Sequence, residues 1–367
     1  MCIIIKKAAQ SSSIMQAIQK RTTRLRSLTK SVFEPHATDF WLQKINPIWS
    51  THLALAKIVD KKQVANDTVS LTLQPNRHVN LGRAGQHHPV KVKIAGRIYE
   101  RSYSLTERHG QLILTVKKVA EGKVSAWLVD HSQIGDIIEL GQPFGEMQLQ
   151  DQQRLVLLAA GSGITPMLSL VEALKHQQAL NTTQVQLLYW VKHHEDAAYA
   201  QWFEALAKQF PLFQFQIFYT QDQEHDGRLN VTHLAAIDDL DQSTVYACGP
   251  SGFVAKAEEL FAQAQVFMSE AFSLSTVSED ETGFVNVTLS KSNKTVAIPK
   301  GQSILAGLEQ ANVKLTYGCR MGICNKCACQ KAQGSTRNLL NASENSEPNN
   351  LLKICVNSAK SDLVIDL

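Results

Sequence analysis

Cys319, Cys324 and Cys327 stand in the spacing C-x4-C-x2-C, with 27 residues separating Cys327 from Cys355. Three thiolates from one short loop and a fourth from a distant segment can cage two irons, the plant-type [2Fe–2S] arrangement. Gly318 and Gly322 let that loop turn tightly and aim backbone N–H groups at the sulfurs, which tunes the potential of a bound centre. The same four thiolates could hold one structural zinc, although zinc ribbons pair two short C-x2-C knuckles and this run has one. Cys329 would share a strand face with Cys327, near such a centre without being a ligand. Five of the seven cysteines crowd into the last 49 residues. In a chain of this length that points to metal binding rather than a disulfide scaffold.

A second group of residues can hold a flavin. In Arg101-Ser102-Tyr103-Ser104-Leu105-Thr106, an arginine can pair with a phosphate and a tyrosine can pack on the ring or ribityl chain. A serine hydroxyl can reach the flavin N5. Strand alternation puts Arg101 and Tyr103 on one face, with Ser104 on the other or at the strand end. Some twenty residues later, Gly122-Lys123-Val124-Ser125 precedes a helical run, and a serine at a helix start is a natural seat for a pyrophosphate. Either run alone would be ordinary surface; order and spacing give them weight.

A third group suits a nicotinamide dinucleotide. Gly161-Ser162-Gly163-Ile164-Thr165-Pro166 follows an apolar run and opens a helix. It lacks the third glycine of G-x-G-x-x-G, yet its backbone can approach a pyrophosphate in the same way. Cys248-Gly249-Pro250 closes another apolar run, where the crevice of a parallel sheet would lie. Cys248 there can pack near the nicotinamide or simply fill the core. Lys192 and Arg228 are candidates for a 2′-phosphate, and no acid stands at 192 to grip a free 2′-hydroxyl. That favours NADPH over NADH.

These residues need particular elements to position them. Short alternating runs at Thr68–Leu73, Val90–Ile94, Leu112–Val116 and Ile137–Leu140, punctuated by Gly, Pro and Asn, predict an antiparallel barrel over 51–150. Apolar strands alternating with helices over 151–268 predict a doubly wound α/β domain. Residues 269–282 are polar and acidic and read as a linker. A hairpin about Ser292-Asn293 and a helix over Ser303–Ala311 open a C-terminal module at 283–367. Residues 1–50 form a basic N-terminal segment, where Ile14–Leu28 has the spacing of a basic amphipathic helix able to lie on an anionic membrane. A solvated tail accounts for the same residues.

Hydrophobic residues make up 44% and charged residues 19% of the 367 residues, as in a soluble globular protein. No run approaches the length of a membrane span. The expected location is therefore cytoplasmic, at most peripheral to a membrane, and no nucleic-acid partner is expected. The net charge of +4 divides unevenly: eight Lys/Arg oppose two acids in 1–50, 19 oppose 26 in 51–282, and ten oppose five in 283–367. A basic C-terminal module can be steered onto the acidic body or onto an acidic partner.

Taken in order, Arg-x-Tyr-Ser, Gly-x-Val-Ser, Gly-Ser-Gly-Ile-Thr-Pro and Cys-Gly-Pro resemble the ferredoxin–NADP reductase superfamily. The C-terminal module resembles a plant-type ferredoxin, β-grasp-like in fold. The resemblance covers about residues 52–367 and leaves the first fifty outside. It implies FAD between the barrel and the nicotinamide domain, hydride passing from NAD(P)H to the flavin, and single electrons leaving through the cluster. Arg101, Tyr103 and Ser104 would orient the flavin; Thr165, Cys248 and the Gly161–Gly163 turn would orient the nicotinamide. Cys-Arg-Met-Gly-Ile-Cys-Asn-Lys-Cys and Arg337-Asn338-Leu339 are most similar to reductase partners of membrane fatty-acid desaturases. A reductase for a soluble aromatic-ring oxygenase or demethylase is the alternative, and a non-autonomous subunit or redox sensor is a third. Two departures stand out. Lys192 replaces a frequent arginine, and Ala84-Gly85-Gln86-His87 replaces the more usual Pro-Gly-Gln.

Overall fold

The computed structural model describes residues 35–120, 122–221, 227–237, 239–273 and 283–367. Strands β1 (Leu55–Ala65), β2 (Thr68–Pro75), β3 (His87–Ile94), β4 (Arg97–Arg108), β5 (Gln111–Lys117) and β6 (Ile137–Leu140) close a barrel in the order β1-β2-β5-β4-β3-β6. Alternation drives it: Val69, Leu71 and Leu73 of β2 point inward with Leu112 and Leu114 of β5, while Ser70 and Thr72 stay partly exposed. The β3–β4 and β4–β5 hairpins turn on Ala95-Gly96 and His109-Gly110, all at positive φ. Turns of that hand match the twist of the paired strands.

Helix α1 (Pro35–Ile45) precedes the barrel. Asp39 ties it down, accepting from Ser50 Oγ at 2.5 Å and Thr51 N at 2.7 Å. Asn76 Nδ2 donates to the Ile48 and Leu53 carbonyls, both at 2.9 Å. Part of the basic N-terminal segment is thus clasped to the end of β2. The expected helix at Ile14–Leu28 lies outside the described residues.

The second domain is a parallel sheet of β7 (Arg154–Ala160), β8 (Gln184–Val191), β9 (Phe213–Tyr219), β10 (Thr244–Pro250) and β11 (Val266–Ser273), ordered β11-β10-β7-β8-β9. Its central strands β7, β8 and β10 are buried on both faces. Leu155, Leu157 and Ala159 of β7 pack with helices α3 (Ile164–His176) and α4 (Ala200–Gln209); Val156, Leu158 and Ala160 pack with α5 (Ser251–Leu260) on the other face. A helix α2 (Lys123–Ala126) lies earlier, in the barrel. Strand β11 pairs with β10 in parallel through Ser273, so residues 269–273, assigned above to the linker, belong to the sheet. Their Ser and Glu interrupt the apolar run that marks the other strands.

The C-terminal module has a sheet ordered β13-β12-β19-β14-β17, from β12 (Phe284–Leu289), β13 (Lys294–Pro299), β14 (Ala328–Gln333), β17 (Asn350–Lys353) and β19 (Leu363–Ile365). A smaller sheet joins β15 (Thr336–Asn338), β16 (Glu344–Asn345) and β18 (Asn357–Ala359). Helix α6 (Ile304–Gln310) packs on the main sheet, capped by Ser303 Oγ, which accepts from Ala306 N at 3.2 Å. Among the described residues no helix is long and apolar enough to cross a membrane.

Candidate functional site

The cysteine loop, residues 318–327, precedes β14, and Cys355 lies in the turn between β17 and β18. Cys319 N donates to Cys324 Sγ at 3.2 Å, and Met321 N and Cys324 N both donate to Cys319 Sγ at 3.3 Å. The loop therefore aims its amides at sulfur. Hydrogen bonding couples Cys319 to Cys324 and Cys327 to Cys355. Cys324 is lowered to about 5 by the Cys319 thiol and by the Cys319 and Lys326 amides. Cys327 is lowered to about 7 by the Cys355 thiol and backbone N–H groups, while donation to these partners drives Cys319 and Cys355 upward. The sulfurs form two pairs, and among the described residues no three Cys, His, Asp or Glu side chains converge on one ion. Two such pairs from one loop and one turn are compatible with two irons. Cys329 is elsewhere: buried in the module's core on β14, its thiol pushed up to about 12 by that burial.

The loop faces a cleft of about 350 Å³. Arg101–Ser104 of β4 and Gly122–Ser125 form one wall, Ser162, Thr165 and Phe272 another, and Cys319, Arg320 and Met321 a third. All three domains meet here. The Ser102 and Ser104 hydroxyls are buried without a hydrogen-bond partner, as expected of groups awaiting a polar ligand. Burial, then the positive charge of Arg320, which itself pairs with Glu309, makes Arg101 less basic than usual; an anion in the cleft would offset both effects. Burial drives the Tyr103 phenol strongly upward, so it stays neutral. This cleft fits a flavin carrying phosphate. A larger cleft of about 440 Å³ lies by Arg83, Arg108 and Glu172, and of the residues expected to bind a cofactor only Leu105 reaches it.

Not every expected residue sits as read. The Ser125 hydroxyl does not cap α2: it donates to the Gly122 carbonyl at 3.2 Å and accepts from Val119 N at 3.2 Å. Gly122 occupies the cap position, and the Ser125 side chain braces the turn. Leu105 is buried in the barrel core, although its carbonyl accepts from Ser169 Oγ at 3.1 Å across the domain boundary. Cys248 is fully buried at the end of β10 and is absent from the cleft wall. Burial, then the charge of Glu270, raises its thiol well above the usual range. Its carbonyl fixes Gly163, where a Cβ would stand 1.9 Å from Cys248 O. Gly249 is confined likewise, its Cβ position 2.8 Å from Ala160 Cβ. Gly161 has φ +54°, and Thr165 Oγ1 donates to Ser162 O at 3.1 Å, closing the turn before Pro166 in α3. Lys192 and Arg228 are both exposed, and Gln221 N donates to Lys192 O at 3.1 Å, joining the loops after β8 and β9.

Sequence reasoning missed Phe272, and it gave no place to His87 or Gly85. Phe272 comes from the unrecognised end of β11. His87, paired with Ser104 across β3–β4, is fully buried with Nε2 2.9 Å from Glu270 Oε2, though out of line for a hydrogen bond. Gly85 has φ +88° and a Cβ position 1.9 Å from Met147 O, so the glycine of Ala-Gly-Gln is required there whatever precedes it.

Fold and cleft together define an oxidoreductase that uses NAD(P)H, FAD and a [2Fe–2S] cluster. The chain matches an oxidoreductase FAD-binding domain over residues 55–149, an oxidoreductase NAD-binding domain over 157–259, and a 2Fe-2S iron-sulfur cluster binding domain over 287–356. An NADPH oxidoreductase of Mycobacterium tuberculosis is 29% identical, over 94% of this chain and 92% of its own length. The phthalate dioxygenase reductase of Burkholderia cepacia is 26% identical, over 85% of this chain and 96% of its own. A solved phthalate dioxygenase reductase, described as a modular structure for electron transfer from pyridine nucleotides to [2Fe-2S], superposes with a TM-score of 0.63 at 24% identity, covering 86% of this chain and 98% of that one. The chain belongs to the ferredoxin–NADP reductase family of flavoproteins, in the arrangement that ends in a [2Fe–2S] domain.

Proposed function

We propose that the protein is the reductase component of an oxygenase system, passing electrons from NADPH through FAD and the cluster to a soluble oxygenase. One observation carries this reading: Cys319, Arg320 and Met321 of the cysteine loop wall the same cleft as Arg101–Ser104 and Thr165. Bound FAD supplies the chemistry, turning a two-electron donor into successive one-electron transfers. The protein contributes alignment and electrostatics. Arg101 and the Gly122–Val124 backbone hold phosphate, with Lys123 and Ser125 bracing that turn; Tyr103 packs against the flavin and Ser104 donates to its ring edge. Gly161, Ser162, Gly163 and Thr165 seat the nicotinamide half of NADPH, with Pro166 starting the helix behind them. Cys248, Gly249 and Pro250 back this turn. Cys319 and Cys324 would hold one iron, Cys327 and Cys355 the other.

The phthalate dioxygenase reductase relative supports an oxygenase acceptor, and neither relative above supports the desaturase expected from the cysteine motif. Turnover of a soluble aromatic-ring oxygenase by the purified chain and NADPH tests this. Flotation of the full chain on anionic liposomes, with no turnover of the oxygenase, would return the desaturase reading. Rapid NADPH-dependent cytochrome c reduction by the chain alone argues against a non-autonomous subunit.

Lys192 and Arg228 mark the proposed 2′-phosphate site, where one charge-assisted contact contributes on the order of 1.4 kcal/mol, or about tenfold. Lys192→Ala should therefore raise KM for NADPH about tenfold and leave that for NADH unchanged. Equal effects on both nucleotides would remove Lys192 from that role.

A further inference from the structure

Glu100 and Lys326 are 226 positions apart, yet Lys326 Nζ stands 2.6 Å from both Glu100 oxygens. The carboxylate is only 11% exposed and the ammonium 40%, so the pair is shielded from salt more than a surface pair would be. Glu100 also presses on the cysteine loop itself. A Cβ on Gly318 would lie 2.7 Å from Glu100 Oε1 and 2.9 Å from Cys324 Sγ. On the barrel side, Glu100 immediately precedes Arg101, whose guanidinium donates to the Glu100 carbonyl at 2.7 Å. A single ion pair thus joins the strand that walls the flavin cleft to the loop that carries the cysteines.

We propose that Lys326 and Glu100 form a positioning latch that seats the cluster loop over the flavin cleft for electron transfer. The proposal rests on the flavin-to-cluster path above and adds the residues that set its geometry. The acidic body and basic C-terminal module supply long-range attraction in the same sense. A tethered module stays at high effective concentration even when unlatched. Loss of the pair therefore slows transfer and does not abolish it.

The test uses the full holoprotein with Lys326→Glu, Glu100→Lys and the double charge swap. After mixing with NADPH, flavin-to-cluster transfer should fall about tenfold in each single variant and return to within about threefold of wild type in the swap. Ferricyanide reduction should not change. Hydrogen exchange on the same oxidised holoproteins supplies a readout independent of turnover: amides of 97–101 and 318–326 should exchange faster in the single variants and regain protection in the swap. Wild-type rates in both single variants would overturn the latch. A swap as slow as its parents, with normal iron content, would overturn it too, because that result belongs to a charge acting on the cluster and not to docking. Wild-type protein whose flavin reduces but whose cluster does not would instead overturn the path on which the latch rests.

Discussion

Cys324→Ser should leave NADPH-driven ferricyanide reduction within about twofold of wild type and lower cytochrome c reduction at least about a hundredfold. On the proposed path the barrel and the parallel sheet would hold FAD and NADPH side by side, and ferricyanide would draw electrons there without the cysteine loop. Cytochrome c would be reached only through the cluster that the cysteine loop would hold. A serine hydroxyl is far less readily ionised than a thiol and is a poor replacement for soft thiolate at iron. Cys324 also accepts the Cys319 amide at 3.2 Å and pairs with the Cys319 sulfur, so its loss disturbs two of the four sulfurs. Equal loss of both activities would contradict the separation of entry from exit.

Gly163→Ala should cost about a hundredfold in the rate of flavin reduction by NADPH, since displacement of a positioned reactant by 1 Å can cost that much. The glycine's own φ is −60°, so backbone strain is not the reason. The added Cβ would stand 1.9 Å from Cys248 O and 2.9 Å from Gly249 N. Backbone cannot step aside as a flexible side chain does, so the turn must part from β10 and carry Ser162 and Thr165 with it. Stopped-flow flavin bleaching measures this directly. Flavin content should stay near wild type, because Arg101–Ser104 and Gly122–Ser125 belong to the barrel. Unchanged flavin reduction would show that the turn does not seat the nucleotide.

Much of this arrangement was legible because it is local. The alternation of β2 and β5, the continuous apolar run of β7, and the C-x4-C-x2-C loop each carry their meaning within a few residues. The flavin strand was legible for the same reason, with Arg101, Tyr103 and Ser104 on one short segment. What escaped depends on partners distant in sequence. Glu100 and Lys326 look like ordinary surface charges until the fold brings them together. Phe272 was hidden because Ser269 and Glu270 give β11 a polar character that resembles a linker. Ser125 has the residue type of a cap, but the turn from Val119 to Gly122 captures its hydroxyl. Cys248 was legible as either core or site; the packing around β10 puts its side chain in the core and its carbonyl against Gly163.

Anaerobic titration of the purified holoprotein with NADPH, followed by visible absorption and EPR, tests the central claim most directly. Flavin should bleach and the signal of a reduced [2Fe–2S] cluster should grow within the same mixing experiment, with about two irons and two acid-labile sulfides per flavin. Stoichiometric zinc without iron or sulfide after reconstitution, or a flavin that bleaches while the cluster stays oxidised, would contradict it.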